Sequence, residues 1–72
     1  MKKYVVVSCV CDEDGVVTPT AIIWDNGREL RIDKVLHTCK LNENEEIRYS
    51  VQIGKAIRYL FKENQRWYVE CS

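Results

Sequence analysis

Apolar and polar residues alternate along most of this chain, and the alternation is broken at short intervals by glycine, proline, asparagine and aspartate. Strict alternation places successive side chains on opposite faces of an extended strand. Apolar-rich runs fall at residues 3–11, 16–24, 28–41, 47–53, 57–61 and 67–71. Their spacing of roughly 8–12 residues, with no amphipathic helical stripe, predicts an all-β domain. The expected architecture is a five- to six-stranded antiparallel meander closing into a small SH3-like barrel. The segment "DEDG" (residues 12–15) reads as the turn after the first strand, with Gly15 free to take a positive φ. "DNG" (residues 25–27) is a hairpin signal. A three-residue loop ending in a left-handed Gly27 aligns Ile22 with Leu30 and Trp24 with Arg28; a two-residue turn would instead align Ile23 with Leu30. Pro19 cannot donate to a ladder, so its part of the second run is an edge or a bend.

The last three runs allow a register to be written. Three-residue loops at 54–56 and 63–65 pair Ile53 with Ile57, Val51 with Tyr59, Phe61 with Trp67 and Tyr59 with Val69. Every partner is then apolar on one face, and a slip of one residue would mix the faces. The other face carries Gln52, Arg58 and Glu70, then Ser50, Leu60 and Tyr68, then the cations Arg48, Lys62 and Arg66. Arg58 and Glu70 form a surface ion pair in this register. Three like charges side by side disfavour pairing unless something neutralises or uses them. Glu45, Glu46 and Glu63 are placed to neutralise the row, and that reading is preferred. Anion binding beside an exposed Tyr68, on which a base could stack, is the functional alternative.

Length and composition narrow the class. Seventy-two residues make one domain, spanning 1–72, with 46% hydrophobic residues and seven aromatic rings for its core. A domain of this size buries only about 60% of its unfolded surface, so it gains from a metal, from oligomerisation or from close packing. Eleven basic residues balance eleven acidic ones, whereas a strongly electrostatic DNA binder is clearly basic. No apolar run has the ~20 residues of a membrane helix. Residues 4–7 are too short for the core of a secretion signal. A cytoplasmic location, no membrane partner and reduced cysteines are therefore expected.

Candidate chemistry is sparse. His37 is the only histidine; it lies two residues from Cys39, and no orienting partner or oxyanion donor has recognisable spacing. Cys9, Cys11, Cys39 and Cys71 with His37 are enough ligands for tetrahedral zinc. However, Cys-x-Cys on a straight strand holds its sulfurs about 7 Å apart, too far to share an ion without a bulge. Asp12, Glu13 and Asp14 lack the alternate oxygen ligands and flanking helices of a calcium loop. No cofactor, no catalytic residue and no enzymatic activity are expected.

The stretch "PTAIIWDNGR" (residues 19–28), followed by "RYSVQI" (48–53) and "RWYVE" (66–70), resembles small uncharacterised bacterial proteins with a Pro-…-Trp-x-x-Gly hairpin and a closing Arg-Trp-x-Val strand. The resemblance spans residues 16 to 70 and implies an SH3-type β-barrel, with no activity attached. The function expected is a non-catalytic module that binds a protein or peptide, with Trp24, Leu60 and Tyr68 as exposed apolar contacts. The alternative is nucleic-acid binding, single-stranded or RNA, through Arg48, Lys62, Arg66 and Tyr68. A homodimer formed along the edge at Pro19 is a third reading.

Overall fold

A computed structural model describes residues 1–41 and 46–70. They form seven strands: β1 (Lys2–Cys11), β2 (Val17–Ile23), β3 (Glu29–Arg31), β4 (Lys34–Lys40), β5 (Ile47–Ile53), β6 (Ala56–Glu63) and β7 (Arg66–Glu70). All neighbours are antiparallel, in the order β3-β2-β1-β7-β6-β5-β4. The all-β expectation holds. The count of five to six strands does not, because the run 28–41 breaks at Ile32-Asp33 into two strands on opposite edges of the sheet.

That break explains the curl of the sheet into a half-barrel. Two residues connect β3 to β4, so Arg31 and Lys34 lie within about 11 Å although they belong to opposite edges. Each linking residue is tied to a different side. The Ile32 amide donates to the Thr20 carbonyl at 2.9 Å, and the Asp33 amide donates to the Gln52 carbonyl at 2.8 Å. The Asp33 carboxylate also accepts the Gly54 amide at 2.7 Å, which fixes the β5–β6 turn to the same link.

The concave face holds the core. Ile22, Ile32, Tyr49, Val51, Leu60 and Trp67 are buried, with Val5, Val7, Val17, Trp24, Leu30, Val35, Ile47, Ile53 and Val69 packed around them. Tyr49 and Trp67 meet with ring centroids 5.4 Å apart, an arrangement worth more than the area alone.

Turn chemistry sets the registers. The loop at 25–27 has three residues: the Gly27 amide donates to the Trp24 carbonyl, the Trp24 amide donates to the Arg28 carbonyl, and Gly27 sits at φ +83°. Ile22 therefore faces Leu30, as the three-residue reading expects. The other two hairpins turn on two residues, not three. Gly54 and Asn64 take positive φ (61° and 57°), so Ile53 pairs with Ala56 and Glu63 with Arg66. Each shortened loop shifts its pairing by one residue and reverses which side chains share a face. The two reversals cancel at β7, where Trp67 and Val69 reach the core as expected. Only β6 is inverted: Leu60 is buried, while Ile57 and Tyr59 are 61% and 53% exposed.

Two bulges bend the strands. Thr20 stands unpaired between Ser8↔Ala21 and Cys9↔Pro19, with its hydroxyl donating to the Ser8 carbonyl. Pro19 thus lies at an irregularity, the bend foreseen for it. Leu36 is the extra residue between Val35 and His37 on β4. The Asp12 carboxylate accepts the Asp14 and Val16 amides, both at 2.9 Å, so this acid builds its own turn.

Candidate functional site

One open feature of the fold follows from the β6–β7 register. Among the described residues the ladder runs through Glu63↔Arg66, Lys62↔Trp67 and Phe61↔Tyr68 and goes no further. Beyond it, β6 remains paired to β5 as far as Ala56, while β7 remains paired to β1 through Val69 and Glu70. Both strands are held on their outer sides and part from each other on their inner sides. The gap is a cleft of about 670 Å³ lined mainly by Ile22, Trp24, Leu30, Ile53, Tyr59 and Phe61, with Arg58 and Glu70 as its charged groups. Side chains from both faces of β6 contribute, because Arg58 shares the concave face with Val51 whereas Tyr59 and Phe61 project outward. The cleft therefore follows the edge of β6. Lys3 stands at its Trp24 end, its ammonium 5.4 Å from the indole ring and 3.4 Å from the Asp25 carboxylate.

A second cluster covers the outer face. Arg48, Phe61, Tyr68 and Tyr4 are successive cross-strand partners from β5 to β1. The Phe61 and Tyr68 rings stack at 4.9 Å, and Tyr4 meets Tyr68 edge-on at 5.7 Å. Lys2 lies 4.7 Å over the Tyr68 ring, donates to Glu63 at 3.0 Å and stands 4.0 Å from Glu46. The Tyr4 hydroxyl donates to Glu63 at 3.3 Å, and the Tyr68 hydroxyl donates to Glu46. Burial, then the bond to Glu46 and the neighbouring carboxylates, push the Tyr68 phenol well above its ordinary range. Tyr68 is a neutral donor here, and its 3% exposure leaves no face for an incoming ring. The Lys2 hydrogen bond, ahead of its charge, holds Glu63 below the usual carboxylate range and raises Lys2 in return.

The predicted contact residues are thereby separated. Arg48 and Arg66 lie on the outer face as expected, the first 5.0 Å from the Tyr59 ring and the second 3.7 Å from the Tyr4 ring. Lys62 moves to the concave face, 5.8 Å from the Trp67 ring, because β6 is inverted. The row of three cations does not form. Leu60 is a core residue rather than an exposed contact, for the same reason. Trp24 is half-buried and lines the cleft. Arg58 and Glu70 occupy opposite faces of the ladder, and the carboxylate of Glu70 faces the N-terminal ammonium at 3.7 Å. Glu46 and Glu63 gather around Lys2, and the charge of Arg66, one of the expected row, also acts on Glu63; Glu45 lies outside the described residues. The site residues missed in the sequence are Ile57, Tyr59 and Phe61. Their signal was the near-symmetric "QIGKAI" (residues 52–57), which reads as a two-residue turn centred on Gly54-Lys55.

The three described cysteines do not all share one face. Cys9 and Cys11 share the face of Val17 on the β1–β2 hairpin, whereas Cys39 pairs with Arg48 on the outer face. Cys71 lies outside the described residues. Among the described residues no group of three or more His, Cys, Asp and Glu side chains could hold a metal ion, and no helix is long and apolar enough to cross a membrane. No protein-family model, curated protein or solved structure matches the chain.

Proposed function

We propose that this domain is a non-catalytic module that binds an extended peptide segment of a protein partner in the cleft between β6 and β7. One observation carries the reading: β6 leaves β7 after Phe61↔Tyr68, so an apolar cleft runs beside a strand edge. Alternate residues of a strand direct their N–H and C=O groups to each side, so residues 56–60 present part of their backbone to the cleft. A peptide strand would bond to that edge, with one alternating set of side chains toward Tyr59 and Phe61 and the other toward Trp24 and Leu30.

Nucleic-acid binding draws less support. The net charge is zero, Arg48 and Arg66 are separated from Lys62 by the sheet, and Tyr68 is covered. The SH3-like barrel type suggested by the sequence motifs is retained as the proposed kinship of the curled sheet.

Selection from a displayed library of random short peptides tests the reading. Enriched sequences should alternate apolar and polar residues, and binding should be lost in Tyr59→Ala while Lys40→Ala, on β4, retains it. A titration with single-stranded and duplex oligonucleotides at two salt concentrations separates the alternative. Salt-sensitive oligonucleotide binding with no peptide enrichment would overturn the proposal.

A further inference from the structure

The two halves of β1 have different neighbours. Residues 2–5 pair with β7 on one side, and residues 6–11 pair with β2 on the other. Past Val5, β7 turns back into β6, so among the described residues no ladder occupies the β7 side of residues 6–11. That segment carries several exposed side chains beside its β2 partner: Val6 and Val10 are 65% and 59% exposed, and Ser8, Cys9 and Cys11 are exposed with them.

The other edges carry protection against strand pairing. β3 has three residues, two of them charged; β4 bears Lys34, His37 and Lys40; the open edge of β2 contains Pro19. The segment "VVSCVC" (residues 6–11) has no charge, no proline and no glycine, and three of its six residues are valine. An exposed edge of this composition is a template for another strand.

We propose that residues 6–11 of β1 are the homodimer interface, pairing antiparallel with the same segment of a second copy about a twofold axis. A segment paired with itself satisfies the isologous geometry of a closed dimer. The axis passes through one residue facing its own copy; placed at Cys9, it sets Val7 opposite Cys11 and Ser8 opposite Val10. The charges at the ends fit this partner. Each acidic tip, Asp12, Glu13 and Asp14, extends past Val6 of the second copy toward the end of its β1–β7 ladder, where Arg66 is exposed. The interface lies on β1, not at the Pro19 edge of β2, which lacks an N–H at its centre. It does not depend on the peptide cleft.

The test is sedimentation equilibrium of the full chain under reducing conditions, from micromolar to millimolar concentration. A concentration-dependent dimer is expected. Val10→Lys, an exposed position, should weaken it by about tenfold or more with an unchanged circular dichroism spectrum. A chain retaining only Cys9, with Cys11, Cys39 and Cys71 changed to serine, should be cross-linked to a dimer by a short bis-maleimide. A chain retaining only Cys39 should not. A monomer at millimolar concentration overturns the proposal. So does a dimer that Val10→Lys leaves intact and that Cys9 fails to cross-link.

Discussion

Truncation of Leu60 is the sharpest perturbation available, because its side chain is fully buried while its neighbour Tyr59 is half-exposed. Leu60 packs in one cluster with Tyr49, Val51, Trp67, Ile22 and Ile32. Leu60→Ala removes the transfer free energy of the lost carbons and leaves a cavity that a close-packed cluster closes only in part. Substitutions of this kind cost about 2–5 kcal/mol. At roughly 0.05–0.15 kcal/mol per residue, a chain of this size has about 4–11 kcal/mol in all. A loss near 3 kcal/mol is thus a large share of the total. It should lower the melting temperature by roughly 12–24 °C, since each kcal/mol shifts a domain of this size by about 4–8 °C. Tyr59→Ala and Ile57→Ala, on the opposite face of β6, should each cost about 1 kcal/mol or less. Thermal and urea denaturation followed by circular dichroism measure all three. The reverse ranking, a mild Leu60→Ala and a severe Tyr59→Ala, would refute the two-residue turn at Gly54-Lys55 and the assignment of faces built on it.

Glu63 contributes to pH dependence with a definite sign. Its folded pKa lies below its unfolded value, so the stability it contributes is present above the unfolded value and is lost as pH falls through the folded one. Glu63→Gln should flatten the acid limb of a stability-versus-pH curve followed by urea denaturation. Asp12→Ala leaves the Asp14 and Val16 amides without their carboxylate acceptor and should cost about 1 kcal/mol by urea denaturation, where Glu13→Ala costs almost nothing. Gly27→Ala meets no atom within 4 Å, so its cost of about 1 kcal/mol reflects the φ of +83° alone. A cost near zero would contradict the left-handed turn.

The legible and illegible parts of this fold differ in how far apart their determinants lie. Alternation marked every strand, because it is written within a few residues. The turn at Gly27 was legible for the same reason: Trp24, Asp25, Asn26 and Gly27 contain all that it needs. The face of β6 was not legible, since Ile57, Tyr59 and Phe61 together are more apolar than Arg58, Leu60 and Lys62 together. Apolar content favoured the former set as core. The two-residue turns at Gly54 and Asn64 outweigh that preference, because an antiparallel pair cannot choose its register independently of its loop. The split of residues 28–41 at Ile32-Asp33 rests on bonds to Thr20 and Gln52, twelve and nineteen residues away, and no local pattern carries it. Among the candidate contacts, Trp24 lines the cleft. The cleft arises where β6 and β7 part and belongs to no single segment.

Amide hydrogen exchange along β6, measured free and with a peptide enriched by selection, tests the peptide-binding account most directly. In the free protein, amides of residues 56–60 that point away from β5 should exchange rapidly, while that of Val51, within the β4–β5–β6 ladder, is protected. The account predicts that the peptide slows exchange at those β6 positions and leaves His37 and Thr38 on β4 unchanged. Protection of those amides in the free protein, or no gain of protection with peptide bound, would contradict it.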